Sequence, residues 1–294
     1  MKNPFSNIAG IKVIMEERLA KHTSFNIGGA AQYFVYVYSK KALKEVLKVI
    51  MRRHMRYFII GAGTNLLVSD QGFRGVVLKL GGTFKRMSLR NGRCCCGGGL
   101  LIKDFLSRTV KKGYGGAEFL AGIPGTLGGA IKGNAGAFGN SISDITERVF
   151  LMDQYGIEKT RTKIEAGFSY RKSRIKKWEF VTAANLILKK QKQKSILLKL
   201  NRNLRSRQRK HPKGFSAGSF FKNPPCCAAG KLIEDCGLKG QSVGDAVVSE
   251  KHGNYIVNRG NARAVDVLAL AAQIRKTVRA KAGINLKQEV ILLR

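Results

Sequence analysis

The sequence predicts an α+β fold in two domains. Apolar residues switch repeatedly between helical and strand spacing, and the order in which they do so is irregular rather than an even βαβ alternation. The chain has 294 residues, 44% of them hydrophobic. At roughly 100–200 residues per domain, that is enough for two cores. Glycine is abundant, at 34 residues, but without the three-residue period of collagen.

The elements follow in order. Leu43, Val46, Leu47 and Ile50 fall on one helical face, and Ser39 stands where an N-cap belongs, so a helix is expected over 39–53. Strands are expected at 57–60, 66–69 and 75–80. Ile102, Phe105, Leu106 and Val110 mark a second amphipathic helix over 101–112, stopped by Gly113. Residues 149–152 and 180–188 read as strands. The basic stretch 189–210 has helical spacing at Leu197, Leu200 and Leu204, and a domain boundary is expected near its start. A short helix ending at Gly237, a strand at 255–257, a long helix over 264–281 and a last strand at 289–293 complete the chain.

The 54 Lys and Arg against 18 Asp and Glu give a net charge of +36. Such a balance favours anionic partners: nucleic acid, an anionic membrane or phosphorylated small molecules. A solvated basic surface fits it equally. No run approaches the ~18 apolar residues of a membrane span, and residues 1–25 lack an apolar signal core, so a cytoplasmic location is expected. The six cysteines, at 94–96, 226, 227 and 236, have no zinc-ligand spacing. Alternate residues of a strand face opposite ways, so Cys94, Cys95 and Cys96 do not converge on one ion. No metal is expected, and the thiols read as small buried or half-buried side chains.

Two glycine loops carry more information. Gly61, Ala62, Gly63, Thr64, Asn65 and Leu66 follow a strand. However, the sixth position is Leu66, and apolar residues follow where a dinucleotide fold would open a helix. The loop reads either as a tight turn between strands or as a pyrophosphate cradle built from backbone amides. The second loop runs Gly122, Ile123, Pro124, Gly125, Thr126, Leu127, Gly128, Gly129 and on through Asn134, Gly136 and Ala137 to Gly139, with seven glycines in eighteen residues. That density suits a backbone packed against something flat and extended.

With His22 to Gly29, Ser169 to Ser173, Ser216 to Pro224, Ser249 to Asn258 and Glu289-Val290, these loops resemble the vanillyl-alcohol-oxidase (PCMH) type of FAD-binding domain. They more closely resemble the UDP-N-acetylenolpyruvoylglucosamine reductase family, in its shorter subtype. The resembling segments occur in the family's order over nearly the whole chain. The resemblance implies an N-terminal segment at 1–21, a FAD-binding domain of two α+β subdomains at 22–189 and a C-terminal α+β substrate-binding domain at 190–294. It implies bound FAD, NADPH as hydride donor, reduction of an enolpyruvyl UDP-sugar for peptidoglycan synthesis, and a monomer.

Residue by residue, the resemblance assigns charge stabilisation to Arg171, a second polarising role to Glu289 and proton donation to Ser219. Tyr170 and Asn223 match substrate contacts, and the two glycine loops match the cofactor site. The sequence departs from the family at Ala30, where proline is usual, and at Lys132-Gly133, where larger residues are common. Cys94 to Cys96 replace a stretch usually rich in Val and Ala, and Cys226-Cys227 follows the Ser219 segment directly. Two alternatives are another FAD oxidoreductase of the same fold and a basic nucleic-acid-binding protein. The first does not demand Ser219 or Glu289, and the second lacks a recognition motif.

Overall fold

A computed structural model describes residues 3–294. In chain order its main elements begin with strands β1 (Ile11–Arg18) and β2 (Ala30–Val37), helix α1 (Lys40–Arg52), and strands β3 (Tyr57–Ile60), β4 (Leu66–Val68), β5 (Phe73–Leu80), β6 (Met87–Arg90) and β7 (Arg93–Gly97). Helices α2 (Ile102–Lys111) and α3 (Leu127–Lys132) follow, then strands β8 (Thr146–Met152), β9 (Glu158–Thr162) and β10 (Phe180–Ile187), and helix α4 (Gln193–Lys210). The chain ends with α5 (Ala229–Asp235), β11 (Ser242–Val243), β12 (Ala246–Val248), β13 (Ile256–Asn258), α6 (Ala264–Ala282) and β14 (Ile291–Leu293).

Contacts divide the described residues into two compact units, each assembled from separated stretches: 3–15, 33–62 and 75–207 in the first, 16–32, 63–74 and 208–294 in the second. The boundary expected near Lys189 thus falls inside the first unit, which continues to Arg207. The reason is packing: Leu200 of α4 rests on the first unit's core, and Asn203 donates to the Glu118 carbonyl at 2.9 Å.

One sheet runs in the order β1-β2-β5-β3, another in the order β9-β8-β10-β7-β6. In the first unit, α1 lays Leu43, Val46, Leu47 and Ile50, all essentially inaccessible, on Val35, Val76 and Leu78. Its N-terminus is closed by Ser39, whose hydroxyl accepts from the Ala42 amide at 3.1 Å. Capping of this kind is worth ~1 kcal/mol. A second core joins α2, α3 and the five-stranded sheet. Cys94 and Cys96 point into it while Cys95 is exposed, the alternation a strand imposes.

In the second unit, the antiparallel sheet β11-β12-β13 packs under α6, whose Val267, Leu270, Ile274 and Val278 are fully buried. The last strand, β14, is shorter than its expected 289–293 and pairs in parallel with β4. Glu289 and Val290 are withheld from that pairing because their amides both point to the Phe220 carbonyl. The loop 61–65 is no tight hairpin: β3 pairs with β5 in one sheet and β4 with β14 in another.

Candidate active site

In the first unit, β3 and β5 run parallel, with Ile60 level with Lys79. Their carboxyl ends open onto a cleft of about 410 Å³. Ligands in parallel sheets sit at such ends. Gly61, Ala62, Thr126, Gly128 and Gly129 from the two glycine loops all line it, with Gly81, Gly98 and Gly99 completing the backbone wall.

These glycines are required sterically. A Cβ on Gly98 would lie 1.9 Å from the Val181 carbonyl oxygen, one on Gly128 would lie 2.9 Å from the Gly98 oxygen, and one on Gly61 would lie 2.7 Å from the Thr126 hydroxyl. Their amides are mostly engaged with the protein itself. Gly98 donates to Thr182, Gly99 to Phe84 and Gly128 to Gly98, while Gly129 donates to the Thr126 hydroxyl that caps α3. The second loop is therefore a device for close backbone approach more than a bank of donors.

Positive charge comes from side chains. Lys79, Lys85 and Lys132 line the cleft, beside Tyr36 and Tyr38. The Lys79 ammonium lies 6.0 Å from the Tyr36 ring centre, and burial, then Lys85, pulls its pKa below the usual lysine range. Burial brings Lys132 down to about 8, against the opposing charge of Glu179. Its ammonium donates to the carbonyls of Lys177 and Glu179 at 3.2 and 3.3 Å. The Glu179 carboxylate is paired with Arg161.

Other expected residues shape the same unit without lining the cleft. The Gly125 carbonyl accepts from Ile102, satisfying one orphan amide at the start of α2. Gly122 has a left-handed φ of +71°, Ile123 packs on the core, and Pro124 is exposed. Asn134 donates to the Ser169 carbonyl at 2.9 Å and accepts from the Ser143 amide at 3.3 Å. It thereby ties α3 to a turn closed by reciprocal bonds between Ser169 and Lys172. Tyr170 and Arg171 form the tip of that turn. Arg171 has φ +54°, and its guanidinium donates to the Gly136 carbonyl at 3.0 Å and lies 5.6 Å from the Tyr170 ring. Ala137 pairs with Asn140 beside Gly136.

The second unit holds Gly63, Thr64, Asn65 and Leu66 with Ser219, Asn223 and Glu289. Residues 220–222 run antiparallel to 287–290: Phe221 bridges Gln288, and Lys222 donates to Lys287 at 2.8 Å, while Ser219 bridges Tyr255. At Phe220 the register slips, and its one carbonyl accepts from both Glu289 and Val290. Such a two-against-one bulge re-aims a side chain. Strict alternation would place Glu289 on the side of buried Phe220; in the structure Glu289 is half-exposed while Phe220 and Val290 are buried. Asn65 steadies this strand, donating to the Glu289 carbonyl at 3.3 Å and accepting from Ile291 at 3.0 Å. Gly63 closes on the His22 carbonyl, which a Cβ would meet at 1.9 Å. Asn223 caps α5 through its side-chain oxygen, which accepts from Ala229 at 3.0 Å.

Comparison with known proteins finds two family models along the chain. Residues 31–158 match the family model "FAD binding domain", and residues 210–293 match "UDP-N-acetylenolpyruvoylglucosamine reductase, C-terminal domain". The chain is 39% identical over 285 residues to the UDP-N-acetylenolpyruvoylglucosamine reductase of Bacillus subtilis, covering 96% of this chain and 94% of that one. It is 40% identical to the reductase of Syntrophotalea carbinolica, covering 95% and 93%. The crystal structure of the reductase of Thermus caldophilus superposes with a TM-score of 0.84 at 35% identity, covering 97% of this chain and 99% of that one. The chain belongs to the UDP-N-acetylenolpyruvoylglucosamine reductase family. It is an FAD-dependent oxidoreductase of peptidoglycan precursor synthesis, with the α+β fold expected for it.

The first unit's cleft fits the cofactor of this reductase family. Its glycine wall leaves room where a Cβ would intrude, its aromatic residues suit a flat ring, and three lysines suit a pyrophosphate. Sequence reasoning missed Tyr36, Tyr38, Lys79, Gly98, Gly99 and Lys132. A signal was present for Lys132, which departs from the family's usual residue.

Proposed function

We propose that this protein reduces the enolpyruvyl group of UDP-N-acetylglucosamine enolpyruvate to UDP-N-acetylmuramate, using NADPH. Bound FAD would accept hydride from NADPH and deliver it to the enolpyruvyl carbon. Hydride addition to an enol ether conjugated with a carboxylate drives negative charge toward that carboxylate. In this reading Arg171 stabilises the charge, because a planar guanidinium suits a carboxylate, and Glu289 polarises it further. Ser219 delivers a proton to the carbon beside it; a hydroxyl is acid enough for this only against a strong, nascent carbanion.

The observation that carries this reading is the strand pairing that sets Glu289 opposite Phe220, the chain neighbour of Ser219, with Asn65 bonded to the Glu289 carbonyl. It supports a serine and a carboxylate working on one substrate. Tyr170 and Asn223 serve as substrate contacts. Gly61, Ala62, Thr126, Gly128 and Gly129 hold the cofactor, with Lys79, Lys85 and Lys132 balancing its phosphates. Gly63, Thr64, Asn65, Leu66, Gly122, Ile123, Pro124, Gly125, Asn134, Gly136 and Ala137 position the two loops. The protein acts as a cytoplasmic monomer. Among the described residues no helix is long and apolar enough to cross a membrane.

The test is spectroscopic. Purified protein is yellow, NADPH bleaches it without oxygen, and the enolpyruvyl UDP-sugar restores the colour. A bleached protein whose colour never returns with that sugar refutes the substrate, and a protein that takes up no FAD refutes the chemistry.

A further inference from the structure

Two thiol pairs lie close enough for sulfur contact, and they differ in access. Cys94 and Cys96 are 3.2 Å apart at sulfur but fully buried in the first unit. Cys226 and Cys227 are 3.0 Å apart at sulfur, the first exposed and the second half-exposed. They occupy a turn in which the Cys227 amide reaches the Pro224 carbonyl at 3.4 Å. The turn is bracketed by the Asn223 cap on Ala229. Exposure lets a small oxidant reach this second pair, and thiolate is the form that attacks it. The mechanism proposed above uses neither sulfur.

We propose that Cys226 and Cys227 form a redox modification site that reacts with low-molecular-weight disulfides and closes into a disulfide between adjacent residues. The Cys226 sulfur attacks the small disulfide, forming a mixed disulfide and releasing one small thiol. Cys227 then attacks the Cys226 sulfur, which expels the second small thiol. Two protein thiols are oxidised, one small disulfide is reduced to two thiols, and the protons pass to the departing thiolates. The order follows from access and from the hydrogen bond between the sulfurs. Cys227 keeps its proton longer, since that bond pushes its pKa up, and Cys226 is the member that solvent reaches.

Closing an eight-membered ring between adjacent residues forces the backbone out of the present turn. The bond is therefore readily reversed by thiols. It also disturbs the Pro224 contact and the Asn223 cap. If Asn223 contacts the substrate, a consequence resting on the function proposed above, oxidation raises KM for the UDP-sugar and spares flavin reduction by NADPH.

The experiment treats the holoenzyme with oxidised glutathione, then maps peptides by mass and measures both half-reactions. The expected result is a 226–227 peptide lighter by two hydrogens and restored by dithiothreitol. KM rises several-fold, with NADPH bleaching unchanged. Cys226→Ser and Cys227→Ser each abolish the mass change and the KM change, while Cys95→Ser preserves both. An unmodified peptide, or one that retains glutathione without closing, overturns the site. A closed ring with unaltered KM overturns its link to Asn223. Reduced enzyme that never turns over the UDP-sugar refutes the function instead, and the peptide masses still decide the site.

Discussion

Around the first unit's cleft, Gly61, Gly98 and Gly128 bring backbones into contact by having no side chain, and three lysines supply the charge. Along Phe220 in the second unit, a bulge redirects Glu289, and Asn65 is bonded to its carbonyl. The first site is made by subtraction, so adding an atom damages it. The second is made by aiming side chains, so removing a functional group damages it while the fold survives. Cofactor binding and substrate chemistry should therefore fail separately.

The largest separation is expected from Ser219→Ala. Bleaching by NADPH persists, while reoxidation by the enolpyruvyl sugar slows by ~10²–10⁴-fold. Anaerobic stopped-flow absorbance reads both steps, and equal loss in the two removes the proton-donor role. Gly98→Ala is next. Its Cβ would sit 1.9 Å from the Val181 oxygen, and such overpacking against backbone costs roughly 3 kcal/mol or more. Urea unfolding measures the loss, and flavin should be released together with structure. Thr126→Ala removes the α3 cap at ~1 kcal/mol, which Thr126→Ser restores. An equal loss in both variants would assign the effect to the threonine methyl group.

The smallest effect is confined to a pH window. Lys132 titrates near 8 in the folded protein, below the ordinary 10.5. Between those values the unfolded chain holds a proton that the folded chain has released, so stability rises with pH across the window and is lost as pH falls through about 8. Lys132→Met should flatten that rise. It should also weaken FAD binding chiefly below pH 8, where the lysine is charged. A fluorescence titration of FAD at pH 7 and pH 9 compares the two.

Legibility in the sequence followed the same contrast. Helix α1 could be read because Ser39 and four apolar residues agree with one another, and all four apolar residues are buried. Helix α3 could not, since LGGAIK contains two glycines, which weaken helix propensity by ~1 kcal/mol each. Strand β1 was hidden because IKVIMEER lacks a clean alternation of burial. In the cleft, glycine density exposed the loops, whereas Lys79 and Lys132 were two cations among 54. No periodicity distinguishes a lysine folded inward from one in solvent. The bulge at Phe220 was equally invisible, because it depends on a partner strand nearly seventy residues away.

The parallel pairing of β4 with β14 joins Leu66–Val68 to Ile291–Leu293, and the Leu293 carbonyl accepts from the Ser69 amide at 2.8 Å. On the ribosome Ile291–Leu293 emerge long after Leu66–Val68. A nascent chain must carry the unpaired Leu66–Val68 edge until Ile291–Leu293 leave the exit tunnel, the kind of exposed segment that chaperones shield. A chain cut before Ile291 would leave that edge permanently open and prone to pair with another molecule.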